Sequence, residues 1–371
     1  MRIAIAAWIA VHALIHFLGF AKAFDLAALE ELKMPISRPM GVVWLVAGLT
    51  LLGAVAGMFL APRWFWLMGL AGLIVSQAVI VSAWNDARFG TIANAVLALA
   101  VIHGAFAWGP FGLRDEYDRL VQSGLKEMST RPRPPVITDE DLSPLPAPVQ
   151  RYLRFAGVVG TPRVQGFRAR MSGRIRGAAT ASWMPFTAEQ YNFYDPPRRY
   201  FWIEATRGGL PVGGLHAYGE DGASMRIRLL SLLPVVTLSG PQMTRGETVT
   251  LLNDACLFAP GVLVDLPIQW RSVDDHRAEA TWQKGPHLVR ALLVFDDSGA
   301  LVDFQSDDRP ALAEDGRTLL PQRWSTPIQE YRTMGPFRLA AVGEARYAAP
   351  AGDYAYIEME VQEVSTDLRG E

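Results

Sequence analysis

Four long apolar runs, at residues 3–21, 40–61, 64–85 and 89–113, fill the first third of the chain without one Asp, Glu, Lys or Arg among them. A helix needs about 20 apolar residues to cross a hydrocarbon core roughly 30 Å thick, so each run is read as a transmembrane helix. Arg2 precedes the first run and Ala21-Lys22-Ala23 has cleavage-like spacing, as in a secretory signal. The run is longer than a usual signal core and three more follow it, which points to a retained helix. Four spans place both chain ends on one side. That side carries Arg2, Arg63, Arg114, Arg119, Lys126, Arg131 and Arg133, against Lys22, Lys33, Arg38 and Arg88 on the other. By the positive-inside rule the expectation is a multi-pass cell-membrane protein whose remaining domain faces the cytoplasm.

After the fourth run the pattern changes. Residues 114–128 read as a polar helical extension, and 129–148 bring Pro132, Pro134, Pro135, Pro144, Pro146 and Pro148. Proline fixes φ and donates no amide hydrogen bond, so this stretch is expected to be an extended spacer. Val149, Tyr152, Leu153 and Ala156 then recur at helical spacing, with Gly157 as the stop. From residue 163 the period falls to two. Phe167, Ala169, Met171, Gly173 and Ile175 alternate with Arg168, Arg170, Ser172, Arg174 and Arg176. The last strand is complementary, with Ala355, Ile357, Met359 and Val361 on one face and Tyr354, Tyr356, Glu358, Glu360 and Gln362 on the other. Opposite charges on facing strands favour pairing, so the first and last strands are expected to be neighbours.

Further strands are predicted at 182–194, 199–206, 215–218, 224–230, 268–273, 277–283, 288–295, 301–306, 322–331 and 337–347. Turn-sized gaps make the sheet mainly antiparallel. Residues 247–258 lack strand alternation and read as an inserted helix closed by Pro260-Gly261. So many strands tend to curl. The expected organisation is a four-helix transmembrane domain (1–113), a juxtamembrane helix with a proline-rich linker (114–148), and a β-rich α+β domain (149–364). The last is a curved antiparallel sheet or open β-barrel with one or two short helices.

Three segments carry a resemblance: Leu145-Pro146-Ala147-Pro148-Val149-Gln150-Arg151-Tyr152-Leu153-Arg154, Asp303-Phe304-Gln305-Ser306-Asp307-Asp308-Arg309, and Gly343-Glu344-Ala345-Arg346-Tyr347. Over about residues 145–364 the chain resembles a bacterial family classed as a domain of unknown function. Some of its members have four preceding membrane helices. That resemblance implies no activity and no catalytic residue. The strand count with one inserted helix also resembles the lipoprotein-carrier fold, an open barrel that holds acyl chains.

Candidate chemistry is sparse. A net charge of −2 supplies no basic field for nucleic acid. The single cysteine, Cys256, has no disulfide partner within the chain and is expected to be a small buried residue. Asp274-Asp275-His276 sits where a hairpin turn is expected, and Asp307-Asp308-Arg309 at a strand end reads as a turn or ion pair. Gly208-Gly209-Leu210-Pro211-Val212-Gly213-Gly214 lacks the Lys-Ser/Thr ending of a phosphate loop and reads as a wide turn or bulge. No catalytic residue, metal site or cofactor is assigned.

Within the spans, His12 and His16 share a helix face, and counting 1.5 Å per residue puts them in one polar layer with Gln77 and His103. Hydrogen bonds between helices explain such a layer; a haem, copper or quinone site is the sharper alternative. In the β-rich domain, Trp183, Phe186, Trp202, Trp282 and Trp324 supply either core packing or the lining of an apolar ligand cavity. The leading expectation is a non-catalytic, membrane-tethered domain that binds a lipid or other apolar ligand, with membrane lipids as partners. The alternatives are a membrane oxidoreductase or redox-accessory protein built on the histidine layer, and an interaction module whose Arg168, Arg170, Arg174 and Arg176 face meets acidic headgroups.

Overall fold

A computed structural model describes residues 2–29 and 32–369. The chain divides into two units, Met1–Glu116 and Tyr117–Glu371. In the first, the apolar runs form α1 (Arg2–Ala23), α2 (Arg38–Leu60), α3 (Pro62–Ser82), a single turn α4 (Trp84–Ala87) and α5 (Gly90–Ala107). Four of these helices are long and apolar enough to cross a membrane. The fourth run outlasts its helix because Gly109-Pro110 cannot continue α5.

Ile9, Ala13, Leu51, Phe65 and Leu97 fill the centre of the bundle, while Val11, Leu14, Leu49, Ile74 and Leu99 are exposed on the outside. A bundle made for water would be polar there. Small residues bring the helices close: a Cβ on Gly104 would stand 2.5 Å from the Phe65 ring, and one on Gly72 2.8 Å from Leu51.

The second unit begins within α6 (Leu113–Ser129), whose buried stripe is Tyr117, Val121, Leu125 and Met128. The expected spacer is not free of the domain. Ile137 and Leu142 are fully buried in the main core, and α7 (Asp139–Leu142) is fixed by a Thr138–Asp141 capping box. Then follow α8 (Ala147–Phe155) and a meander of β1 (Gly166–Ile175), β2 (Met184–Tyr194), β3 (Pro197–Arg207), β4 (Leu210–Gly219), β5 (Gly222–Leu229) and β6 (Leu233–Ser239). The inserted helix α9 (Pro241–Phe258) leads to β7 (Ile268–Asp274), β8 (Arg277–Lys284), β9 (His287–Phe295) and β10 (Leu301–Ser306). A small hairpin, β11 (Ala311–Leu312) and β12 (Leu319–Leu320), precedes β13 (Trp324–Ser325), β14 (Ile328–Met334), β15 (Phe337–Ala349) and β16 (Gly352–Ser365).

Fourteen strands form one antiparallel sheet in the order β6-β5-β4-β3-β2-β1-β16-β15-β13-β10-β9-β8-β7, with β14 on β15. The expected pairing of first and last strands is present, with Arg174 opposite Glu358. It joins two meanders into one curled surface, and α9 links the free edges β6 and β7. This helix packs against β5, β6, β9 and β15, on the inside of the curl.

Four local expectations change. β6 has no counterpart in the predicted strands. The strand expected at 322–331 is two, β13 and β14, because Pro327 offers no amide to a ladder. The glycine-rich segment turns only at Gly208 and Gly209, both at positive φ; Gly213 and Gly214 are strand residues over which Trp202 and Ile203 lie. Finally, a bulge shifts the β15–β16 register, so that Ala345 faces Ile357 but Arg346 faces Ala355. The bulge reverses the alternation beyond it and turns Tyr354 and Tyr356 to the same side as Ile357.

Candidate functional site

A cavity of about 1150 Å³ lies between the inner face of the sheet and α9. Close-packed interiors leave few voids larger than a water molecule, so a space of this size is built rather than left over. It exceeds the roughly 300–1,000 Å³ usual for small-molecule pockets. Inward-facing positions of successive strands wall it: Met171 and Ile175 on β1, Phe201 and Ile203 on β3, Ile227 on β5, Met359 and Val361 on β16. Each is apolar because alternation gives the inner face every second residue.

One end of this apolar space is charged. On α9, Glu247, Thr250 and Asp254 fall at i, i+3 and i+7 and so share a helix face. From the sheet, Arg199 reaches them: its Nε donates to Asp254 Oδ2 at 2.7 Å and its Nη1 to Glu247 Oε2 at 3.0 Å. Asp254 Oδ2 also accepts from Gln190 Nε2 at 2.7 Å and Asn192 Nδ2 at 3.0 Å. The three charged side chains are almost wholly buried, and buried charges persist only when paired in this way. Burial pushes the Glu247 carboxyl up, but the Arg199 guanidinium, His216 and Arg309 outweigh it and hold the group down at about 2. Arg309 completes the cluster. Its Nε donates to Thr250 Oγ1 at 2.8 Å, its Nη1 to the Tyr347 hydroxyl, and its guanidinium lies 4.6 Å from the centre of the Trp324 ring.

Of the five aromatic residues expected to meet a ligand, Trp183 and Trp324 line the cavity. Phe186 and Trp282 are buried in the main core without lining it. Trp202 points to the other face of β3, where its ring lies 6.3 Å from that of Tyr117 on α6 and its Nε1 donates to Glu204. The second layer that an apolar strand face requires is therefore α6. Cys256 is fully buried on α9, its carbonyl accepts from the Tyr152 hydroxyl, and burial pushes its thiol up.

The arginine face of β1 is engaged within the protein. Arg174 makes a two-pronged pair with Glu358 at 2.6 and 2.8 Å, Arg168 bonds Glu189 at 2.8 and 3.0 Å, and Arg176 donates to two backbone carbonyls.

In the helical unit, His12, His16 and Gln77 join one network. Ser76 Oγ lies 3.1 Å from His12 Nε2 and 2.8 Å from His16 Nε2, and it donates to Asn94 Oδ1 at 2.9 Å. Asn94 Nδ2 donates to Gln77, and Gln77 to Thr91. His103 lies elsewhere, packed edge-on against Trp108, whose ring also carries Arg2.

Arg199, Arg309, Gln190, Glu247 and Asp254 were not among the expected site residues. The signal was present in α9, where Glu247, Thr250 and Asp254 recur on one helix face, and in β2, where Gln190 and Asn192 hold alternate positions.

A family model described as "Family of unknown function (DUF6544)" matches residues 135–359, more than half of the chain. The chain belongs to this family. Curated proteins offered no match. Among solved structures, a Vibrio parahaemolyticus domain named for outer membrane lipoprotein sorting is similar at 8% identity and a TM-score of 0.33, over 62% of this chain and 91% of that one. A LolA superfamily protein from Nitrosomonas europaea is similar at 10% identity and 0.28, over 62% and 94%. A DUF1329 family protein from Desulfovibrio piger gives 13% and 0.25, over 55% and 86%.

Proposed function

We propose that the DUF6544 domain binds a lipid or similar apolar ligand in the cavity between the curled sheet and α9, and that α1 to α5 anchor it in a membrane. One observation carries this reading: a cavity of about 1150 Å³ walled by Met, Ile, Val and Phe side chains in an otherwise packed domain. Water gains little from such walls, whereas an acyl or isoprenoid chain buries apolar surface at about 25 cal/mol per Å². Anchoring adds effective concentration, since a ligand leaving the same bilayer meets a binding site that cannot diffuse away. The excess of Arg and Lys on the side of the chain ends supports a cytoplasmic position for the domain. The His12, His16 and Gln77 network fits interhelical hydrogen bonding, with each imidazole bonded to a neighbouring helix.

The test is photo-cross-linking of the full-length protein in cells. A photoreactive residue at Ile227 or Met359, inside the cavity, is expected to give a lipid adduct of defined mass, and one at exposed Val273 none. Absence of an adduct from both cavity positions, or equal yield at all three, would overturn the reading.

A further inference from the structure

We propose that the ligand carries an anionic oxygen head, a phosphate or carboxylate, and that Arg309 binds it; this rests on the apolar-ligand reading above. A guanidinium presents five N–H donors in a fixed fork. Two of those of Arg309 are used, on Thr250 and Tyr347. Its Nη2 comes no closer to Glu247 Oε1 than 4.0 Å, beyond hydrogen-bond reach. Three donors thus have no acceptor among the described residues, on a side chain only 15% exposed that lines the cavity. Arg199, which shares Glu247 with it, shows the contrast: each of its three nitrogens has an acceptor, on Asp254, Glu247 and Gln190.

The surroundings of Arg309 fix which way the open donors face. Trp324 lies against the guanidinium at 4.6 Å, and the rings of Tyr347 and Tyr356 lie 5.9 Å away. Aromatic stacking occupies the face of the fork and leaves its edge for in-plane acceptors. That geometry suits the paired oxygens of a phosphate or carboxylate. Both the stacked cation and the apolar walls belong to one cavity, so a single molecule with an apolar chain and an acidic head satisfies both. Glu247 is the built-in competitor, near enough to Arg309 to hold it electrostatically and too far to satisfy its donors.

The experiment uses the full-length protein in phosphatidylcholine vesicles with two photoactivatable probes at equal mole fraction, hexadecyl phosphate and hexadecanol. Labelling of the cavity peptides is read by mass spectrometry. Hydrogen bonds to a charged group predict that the phosphate is preferred by about 10- to 100-fold. In Arg309→Gln the preference should fall to near unity, Arg309→Lys should retain part of it, and Glu247→Gln should raise it. Equal labelling of wild type by the two probes would overturn the assignment of the head while leaving the apolar-ligand reading standing. Labelling by neither would fell both. Loss of the preference on adding inorganic phosphate alone would assign Arg309 to a free anion and overturn the amphiphile. If Arg309→Gln fails to fold, the wild-type ratio and Glu247→Gln decide.

Discussion

Replacing Arg199 by Met should be among the most damaging single changes in the domain. The side chain is 7% exposed and, among the described residues, is the only cation bonded to Asp254, at 2.7 Å, and the nearest to Glu247, at 3.0 Å. Met fills the space of the aliphatic stem but leaves two carboxylates in a site that water barely reaches. Removing one partner of a buried pair costs about 3–5 kcal/mol, because the charge left behind has lost its compensation. For a domain of this size 1 kcal/mol moves Tm by about 2–4 °C, so the expected drop is roughly 6–20 °C. The triple variant Arg199→Met, Glu247→Gln, Asp254→Asn removes all three charges together and should be the milder one, within about 2 kcal/mol of wild type. Guanidinium denaturation of the full-length protein in nanodiscs, followed by tryptophan fluorescence, measures both. A cost below 1 kcal/mol for Arg199→Met, or a triple variant worse than the single, would refute the argument that Arg199 compensates the burial of these two side chains.

Glu247 also sets a pH dependence. Its folded pKa is lowered from 4.5 to about 2, so its stabilisation is complete above about pH 4.5 and is lost as pH falls toward 2. The span corresponds to about 3 kcal/mol, and Glu247→Gln should flatten the acid limb of a stability–pH curve by that amount. Gly173→Val should separate the two meanders, since a Cβ there would stand 2.0 Å from the Glu358 carbonyl oxygen; loss of cooperative unfolding in circular dichroism checks it. Gly124→Leu should loosen α6 by about 1–3 kcal/mol, because a Cβ at that position meets the Phe193 ring at 2.5 Å, and limited proteolysis near residue 130 should accelerate. Asn94→Leu removes the bonds to His12, Ser76 and Gln77 and should lower resistance to unfolding in dodecyl sulfate by about 1–2 kcal/mol.

The legible parts of this fold were those in which a period is uninterrupted. The helices of the first unit follow from run length, and β1 and its partner β16 from alternating arginines and glutamates that the structure pairs, Arg174 with Glu358. Where one residue breaks the period, reading failed. The bulge in β16 sent Tyr354 and Tyr356 to the cavity, although simple alternation assigned them to the glutamate face. The cavity walls were accessible as a class, through Trp183 and Trp324, but not the charged floor. Arg199, Glu247 and Asp254 come from a strand and a helix some 50 residues apart, and their mutual burial depends on how α9 sits in the curl. Counting depth from helix ends put His12, His16, Gln77 and His103 in one layer; hydrogen bonds through Ser76 and Asn94 link the first three, but depth says nothing of azimuth, and His103 packs against Trp108.

The pairing of β1 with β16 also dictates an order of events at the ribosome. Residues as distant as Arg168 and Ser365 are partners, so the strand at the centre of the finished sheet waits for nearly 200 residues to be made before its second edge is covered. During that interval the first meander is a six-stranded sheet with an apolar inner face and two open edges, the state most prone to pairing with other chains. Closing so long a loop is slow, because the entropy of joining the ends precedes the contacts that compensate it. Premature termination between Ser239 and Gly352 leaves this exposed intermediate as the end product.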